Sequence, residues 1–329
     1  MTRFAFLLAT CLMLFSLPSF AQDVTEEPTA EVTPETTAEI TPESTPLSRF
    51  DGAGDFIVRL TVQNTNRAIN VHIPESYDGS SAVPLVIVLH GASGNGRMMQ
   101  AYVGFDTLSE AHNFIVVYPD GLGFVWNDGR SGDPRIRSEI DDVGFIAAVI
   151  NFIGVNLNID PTRVYVAGHS MGGMMSYRVG CNLYDRVAAV GSVASPMPIY
   201  IMNECNASRP IPLVIVHGTD DLVIPWMGIR DAFLSVNDTM RYWGQHNNCE
   251  TYHQPEMMSD ADPEDHTLVI RQGISDCADN ANILLYAVYS GGHGWPGQTG
   301  GNPQLRISQD IDTATALWSF FNDHRLSTE

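Results

Sequence analysis

Lysine is absent from all 329 residues, so each of the 17 basic side chains is an arginine. That absence excludes a G-x-x-x-x-G-K phosphate loop, a Schiff-base lysine for pyridoxal or aldolase chemistry, and a Ser-Lys hydrolase dyad. Positive charge of any kind is scarce, and the formal net charge is −21 at pH 7. Phosphate backbones and anionic lipid surfaces repel so acidic a chain, so neither is an expected partner. No Cys-x-x-Cys pair and no His-Glu-x-x-His run occurs, which removes the zinc knuckle and the zincin. Asp260, Asp262, Glu264 and Asp265 crowd together, but Pro263 interrupts them and no glycine turn follows, so a solvated acidic loop is expected rather than a calcium site. Neither a metal nor a cofactor is expected. What is left is chemistry run by Ser, His, Asp, Glu or Cys.

The first residues point to export. Arg3 precedes an apolar run from Phe4 to Leu17, and Ser19-Phe20-Ala21 offers a small-x-small cleavage signal before Gln22. This is the pattern of a secretory signal peptide over 1–21, too short to span a bilayer. Leu8-Ala9-Thr10-Cys11 loosely resembles a lipoprotein cleavage box, which makes a lipid-anchored surface form the alternative. Residues 22–47 repeat Thr29-Ala30-Glu31-Val32-Thr33-Pro34-Glu35 almost unchanged as Thr37-Ala38-Glu39-Ile40-Thr41-Pro42-Glu43. Acidic, rich in Thr and Pro and without aromatics, they cannot bury enough surface to offset chain entropy. A disordered tail is expected there. The catalytic domain is then 48–329, with a formal charge of about −15 and no transmembrane segment.

From residue 50 onward strand and helix patterns alternate. Short β-branched runs lie at Ala68–Ile73, Pro84–Leu89, Phe114–Tyr118, Arg163–Ala167, Leu213–Val216 and Ile283–Val288. Helix-like stretches lie at Asp142–Asn156, Met171–Leu183, Ile229–Gln245 and Ile311–Asn322. Nearly continuous apolar strands separated by helices predict an α/β fold, a mostly parallel sheet covered by helices on both faces. In such sheets the reactive side chains sit on loops beyond the carboxyl ends of the strands.

Those loops carry a consistent set. After Leu89 comes His90-Gly91-Ala92-Ser93-Gly94, after Ala167 Gly168-His169-Ser170-Met171-Gly172, after Val216 His217-Gly218-Thr219-Asp220-Asp221, and after Val288 Gly291-Gly292-His293-Gly294-Trp295. Gly168-x-Ser170-x-Gly172 between a strand and a helix is a nucleophile elbow, so tight a turn that the serine is strained and exposed. Its hydroxyl needs a base, and histidine titrates near neutrality. Among ten histidines, His293 comes last and is flanked by glycines, which fits the Ser…acid…His order of this architecture. His90 and His217 are expected to brace the sheet, and His169 to point away from the serine face. Asp220 and Asp221 are adjacent, so only one can face His293; spacing alone leaves the choice open.

The stretch Leu85–Pro296 resembles the polyhydroxybutyrate depolymerase and feruloyl esterase family of α/β-hydrolases. The resemblance rests on Tyr118-Pro119-Asp120-Gly121 with Trp126-Asn127, on Asp141-Asp142-Val143-Gly144-Phe145, and on Asp160-Pro161-x-Arg163-Val164-Tyr165-Val166. It continues through the Ser170 elbow, His217-Gly218-Thr219-x-Asp221-x-x-Ile224-Pro225 and Gly291-Gly292-His293-Gly294-Trp295-Pro296. It implies the α/β-hydrolase fold and, in the His-Gly-Thr-x-Asp pattern, that Asp221 is the acid. The family often has Asn after the serine where this chain has Met171, whose backbone N–H is equally available. Cys181, Cys205, Cys249 and Cys277 are even in number and read as two disulfides with three possible connectivities. The resemblance supports sequential pairing, Cys181–Cys205 and Cys249–Cys277.

The expected activity is serine carboxylesterase chemistry: Ser170 as nucleophile, His293 as base and Asp221 as its orienter, with the amides of Met171 and Ala92 binding the oxyanion. Trp295, two residues from His293, and Trp126 are the expected pocket walls for a planar acyl group. Met174 and Met175 are expected core filler. The favoured function is a secreted feruloyl or acetyl esterase whose partner is a plant cell-wall oligosaccharide or polysaccharide. The alternatives are a polyhydroxybutyrate or other polyester depolymerase and a catalytically silent binding protein on the same fold.

Overall fold

Every residue of Val83–Leu89, strand β3, is buried. Leu85, Ile87 and Leu89 join one apolar layer, and Val86 and Val88 the other. That is how a strand behaves when both faces of its sheet are covered. The computed structural model describes residues 50–298 and 306–327. The expected signal peptide (1–21) and acidic tail (22–47) lie outside the described residues.

The strands, in chain order, are β1 (Gly54–Val62), β2 (Thr65–Ile73), β3, β4 (Ile115–Pro119), β5 (Ile159–His169), β6 (Ala189–Val193), β7 (Leu213–Gly218), β8 (Thr251–Tyr252), β9 (Glu256–Met257), β10 (Leu268–Ser275) and β11 (Ile283–Tyr289). They form one sheet in the order β1-β2-β4-β3-β5-β6-β7-β11-β10-β8, with β9 also on β10. From β4 to β11 along that order all pairs are parallel, and antiparallel strands extend both edges.

Helices cover both faces. On one side α3 (Asp142–Asn156), α4 (Met171–Asn182) and α6 (Val236–His246) contribute Phe145, Met174, Met175 and Trp243 to the first layer. On the other side α1 (Gly96–Val103), α2 (Phe105–His112) and α7 (Thr313–Asn322) contribute Met99, Phe105, Leu317 and Phe321 to the second. Each such side chain removed from water contributes roughly 1.5–3 kcal/mol before entropy is charged. The short helix α5 (Ile199–Glu204) follows β6. His72 on β2 ties the edge together, its Nδ1 2.8 Å from Asp55 on β1 and its Nε2 3.2 Å from Glu110 on α2.

The structure differs from the sequence reading in places that have physical causes. Ile229–Gln245 is not one helix. Ile229 and Phe233 pair as an isolated bridge, and Ser235 caps α6 by accepting the Asp238 N–H at 3.0 Å. Strand β1 carries no clear periodic signal because it is an edge strand with Val58 as its sole buried residue, so polar residues interrupt the pattern. Strand β6 carries little signal because Ala189, Gly191 and Ser192 are small and leave only two valines in it. A Cβ on Gly191 would lie 2.9 Å from Leu317 and 3.1 Å from Phe321, so α7 approaches the sheet too closely for a larger side chain.

Cys181, at the end of α4, is bonded to Cys205 just past α5, and Cys249, after α6, to Cys277, after β10. Among the described residues no helix is long and apolar enough to cross a membrane.

Candidate active site

Strand β5 ends at His169 and α4 begins at Met171, leaving one residue, Ser170, to turn the chain. It does so at φ +54 and ψ −116, a conformation that side chains other than glycine rarely adopt. The flanking glycines are required by space. A Cβ on Gly168 would lie 2.3 Å from the carbonyl of Gly172, and one on Gly172 would lie 2.2 Å from the carbonyl oxygen of Leu89. The Ser170 amide donates to Val193 at 2.8 Å, which pins the turn to β6.

Three strand ends converge there. Ser170 Oγ lies 2.8 Å from His293 Nε2, and His293 Nδ1 lies 2.7 Å from Asp221 Oδ2. The other Asp221 oxygen accepts the amides of Val223 and Ile224, both at 2.8 Å. With a bond from Nδ1–H to the carboxylate, the imidazole keeps Nε2 free to accept the serine proton. Asp221 is 2% exposed. Burial pushes its carboxyl up, but the hydrogen bond and charge of His293, with the Ile224 amide, outweigh that and hold it below the ordinary carboxylate range. Asp220 turns the other way, half exposed and 3.5 Å from Arg306.

Two further histidines flank the His293–Asp221 pair, His169 beside His293 and His217 beside Asp221. The ring of His169 lies 5.2 Å from that of His293, so it packs against the catalytic-type histidine rather than pointing away as the sequence reading expects. Burial, with His293 beside it, pushes its imidazole down to about 3. His217 donates from Nε2 to the carbonyl of Ile224 at 2.9 Å, and burial pushes it down to about 4. Both are neutral near pH 7. His90 braces as expected, accepting the Gly121 amide on Nε2 and donating from Nδ1 to Gly91.

The two oxyanion candidates sit beside Ser170. Met171 supplies the first amide of α4, which has no intrahelical acceptor. Gly91 packs against the serine, since a Cβ there would lie 3.4 Å from Ser170 Cβ. Next to it, Ala92 is exposed, and its amide has no acceptor among the described residues.

The tryptophans require a correction. Trp295 and Trp126 are both fully buried, so neither forms an open wall for a ligand. Trp126 donates from Nε1 to the His90 carbonyl at 2.8 Å and lies tilted against the His90 ring, supporting the Gly91 turn from behind. Trp295 lies edge-on to His169 and Phe105 and is part of the second layer. Proximity in sequence to the base placed Trp295 under the site, not in it.

One supporting residue had no sequence signal that singled it out. Arg67 on β2, 4% exposed, is paired with Asp142 at the start of α3 and donates to the Asp120 carbonyl, while its guanidinium lies 3.6 Å from the centre of the Phe145 ring. Asp142 also accepts the Asn127 amide. The paired motifs at 118–127 and 141–145 are thus two sides of one buried network around Arg67.

This chain matches the model of the alpha/beta hydrolase family over residues 86–304. It is 27% identical over 260 residues to a putative esterase, NocK, of Nocardia uniformis subsp. tsuyamanensis, covering 73% of this chain and 74% of that protein. It is 31% identical over 199 residues to feruloyl esterase B of Piromyces equi, covering 56% of this chain but 36% of that protein's own length. Among solved structures, an S-formylglutathione hydrolase from Agrobacterium tumefaciens superposes with a TM-score of 0.53 at 12% identity, over 82% of this chain and 95% of that one, a likeness of fold. The chain belongs to the α/β-hydrolase family. Within it, the protein is a carboxylic ester hydrolase.

Proposed function

We propose that this esterase is exported and hydrolyses feruloyl or acetyl esters on plant polysaccharide side chains. In this reading Ser170 is the nucleophile, His293 the base and Asp221 the residue that orients it. The observation that carries the catalytic part is the unbroken chain from Ser170 Oγ to His293 at 2.8 Å and on to buried Asp221 at 2.7 Å.

Ser170 Oγ attacks the ester carbonyl carbon while its proton passes to His293 Nε2, and the carbonyl oxygen becomes an oxyanion held by the amides of Met171 and Ala92. The imidazolium is stabilised by Asp221 and returns the proton to the departing alcohol oxygen, leaving an acyl-serine. Water, deprotonated by the same histidine, then releases the acid and restores the serine hydroxyl.

Support for the substrate class comes from the relatives named as feruloyl esterases. A catalytic domain with a formal charge of about −15 gains nothing electrostatically from acidic polysaccharide, which favours neutral chains. Two disulfides fit an oxidising compartment, which supports export. A panel of methyl ferulate, acetylated xylo-oligosaccharide and hydroxybutyrate oligomers tests the reading. Higher kcat/KM on the first two is expected, and the Ser170→Ala variant should fall to the residual turnover left by binding and the oxyanion hole and should not bind a fluorophosphonate probe covalently. Clearing of polyhydroxybutyrate films without activity on feruloyl or acetyl esters would transfer the protein to polyester hydrolysis. A wild-type protein inert to the probe would make it a silent binding protein.

A further inference from the structure

With both tryptophans closed off, the recognition of an acyl group must come from elsewhere. Phe124 is 57% exposed and sits in the loop after β4. Its φ is +65, a left-handed conformation that a bulky aromatic residue seldom takes. Packing does not explain it, since the ring is mostly in solvent. Strained backbone that burial does not reward concentrates at sites of function.

The loop's attachments show what the strain holds in place. At one end the Gly121 amide donates to His90 Nε2 at 2.8 Å. At the other the Trp126 amide lies 3.4 Å from the sulfur of Met171, the residue after the elbow serine, and the indole donates to the His90 carbonyl. Between them the carbonyl of Phe124 accepts the amide of Ser93 at 2.8 Å. Ser93 adjoins Ala92, whose amide has no acceptor among the described residues. The loop therefore straddles the turn that carries one oxyanion donor, with its aromatic ring on the solvent side.

We infer that Phe124 is a specificity-determining residue, the surface on which the planar acyl group of an aromatic ester stacks during acylation. The inference rests on the aromatic-ester reading proposed above. An open apolar ring on the loop that is bonded to the oxyanion turn stacks on a flat acid and does little for an acetyl group, which has no face to offer.

The test is kcat and KM for methyl ferulate and for ethyl acetate in the wild type and in Phe124→Ala, Phe124→Leu and Phe124→Trp. The preference for methyl ferulate, as a ratio of kcat/KM values, should fall about tenfold in Phe124→Ala, carried by KM. Phe124→Leu keeps the apolar bulk without the ring and should lose the preference as well, whereas Phe124→Trp should retain it. Proportional losses on both esters, or a leucine variant as selective as the wild type, would overturn the inference while leaving the aromatic-ester reading intact. A wild type that does not cleave methyl ferulate would remove both.

Discussion

Asp220 and Asp221 are neighbours in the chain and opposites in environment. Asp221 is sealed from water and accepts three hydrogen bonds, from His293, Val223 and Ile224. Asp220 lies half in solvent beside Arg306. A carboxylate stabilises an imidazolium far better where water does not screen the pair, so the buried one is suited to the role. Asp221→Asn is expected to reduce kcat on an ester substrate by roughly 10⁴, because the amide favours the wrong imidazole tautomer. For Asp220→Asn the expected loss is within about threefold, the scale of a surface ion pair. Steady-state kinetics of the two variants on one chromogenic ester decide the matter, and equal losses would reassign the acid.

At the scale of elements, the elbow depends on how closely β5, α4 and β3 pack. The 2.2 Å separation between a would-be Cβ on Gly172 and the Leu89 carbonyl leaves no room for a methyl group. The far end of α4 is held differently. Cys181 in its last turn is bonded to Cys205, so the helix that presents Ser170 is tied to the segment following β6. A cross-link over a sequence separation of 24 removes freedom from the unfolded chain. The double variant Cys181→Ser/Cys205→Ser should therefore lose about 3 kcal/mol of unfolding free energy. Denaturant titration measures it. A loss below about 1 kcal/mol would mean that the packing of Met175 and Tyr177 holds the helix without the bond.

The molecule as a whole should be sensitive to acid for a reason located at its centre. Burial pushes His169 down to about 3 and His217 to about 4, whereas both titrate near 6.5 in an unfolded chain. Below about pH 6.5 the unfolded chain takes up protons that the folded chain refuses, so stability is full above that value and falls as pH drops toward 4. Each imidazole adds a slope on the order of 1 kcal/mol per pH unit across that window. Asp221 works in the same direction lower down, since its depressed carboxyl contributes above its unfolded value and loses that contribution as pH falls through the folded one. Urea midpoints between pH 7 and 4.5 should decline steadily, and His169→Gln should flatten the decline. A wild-type profile that is level over this range would show that His169 is not held neutral.

The order of motifs along the chain was enough to read the α/β architecture, the elbow and the pairing of Ser170 with His293, because local rules govern them. A strand followed by Gly-x-Ser-x-Gly and a helix permits one kind of turn, and parallel strands bring their carboxyl-end loops to one edge wherever they fall in the sequence. Asp221 needed the resemblance, since spacing does not say which of two adjacent side chains turns inward. Depth was not legible. Trp295 and Trp126 looked like pocket walls from their neighbours in the chain, yet both are fully buried, and His169, set aside as facing elsewhere, packs on His293. Arg67 and Phe124 are singled out only by tertiary contacts, those of β2 with the 120–127 and 141–145 segments and that of the 121–126 loop with the turn at Gly91. The sequence determines periodicity, turn chemistry and the residue types available; which face of a loop is wet is decided by what packs behind it, and that is supplied by chain segments distant in sequence.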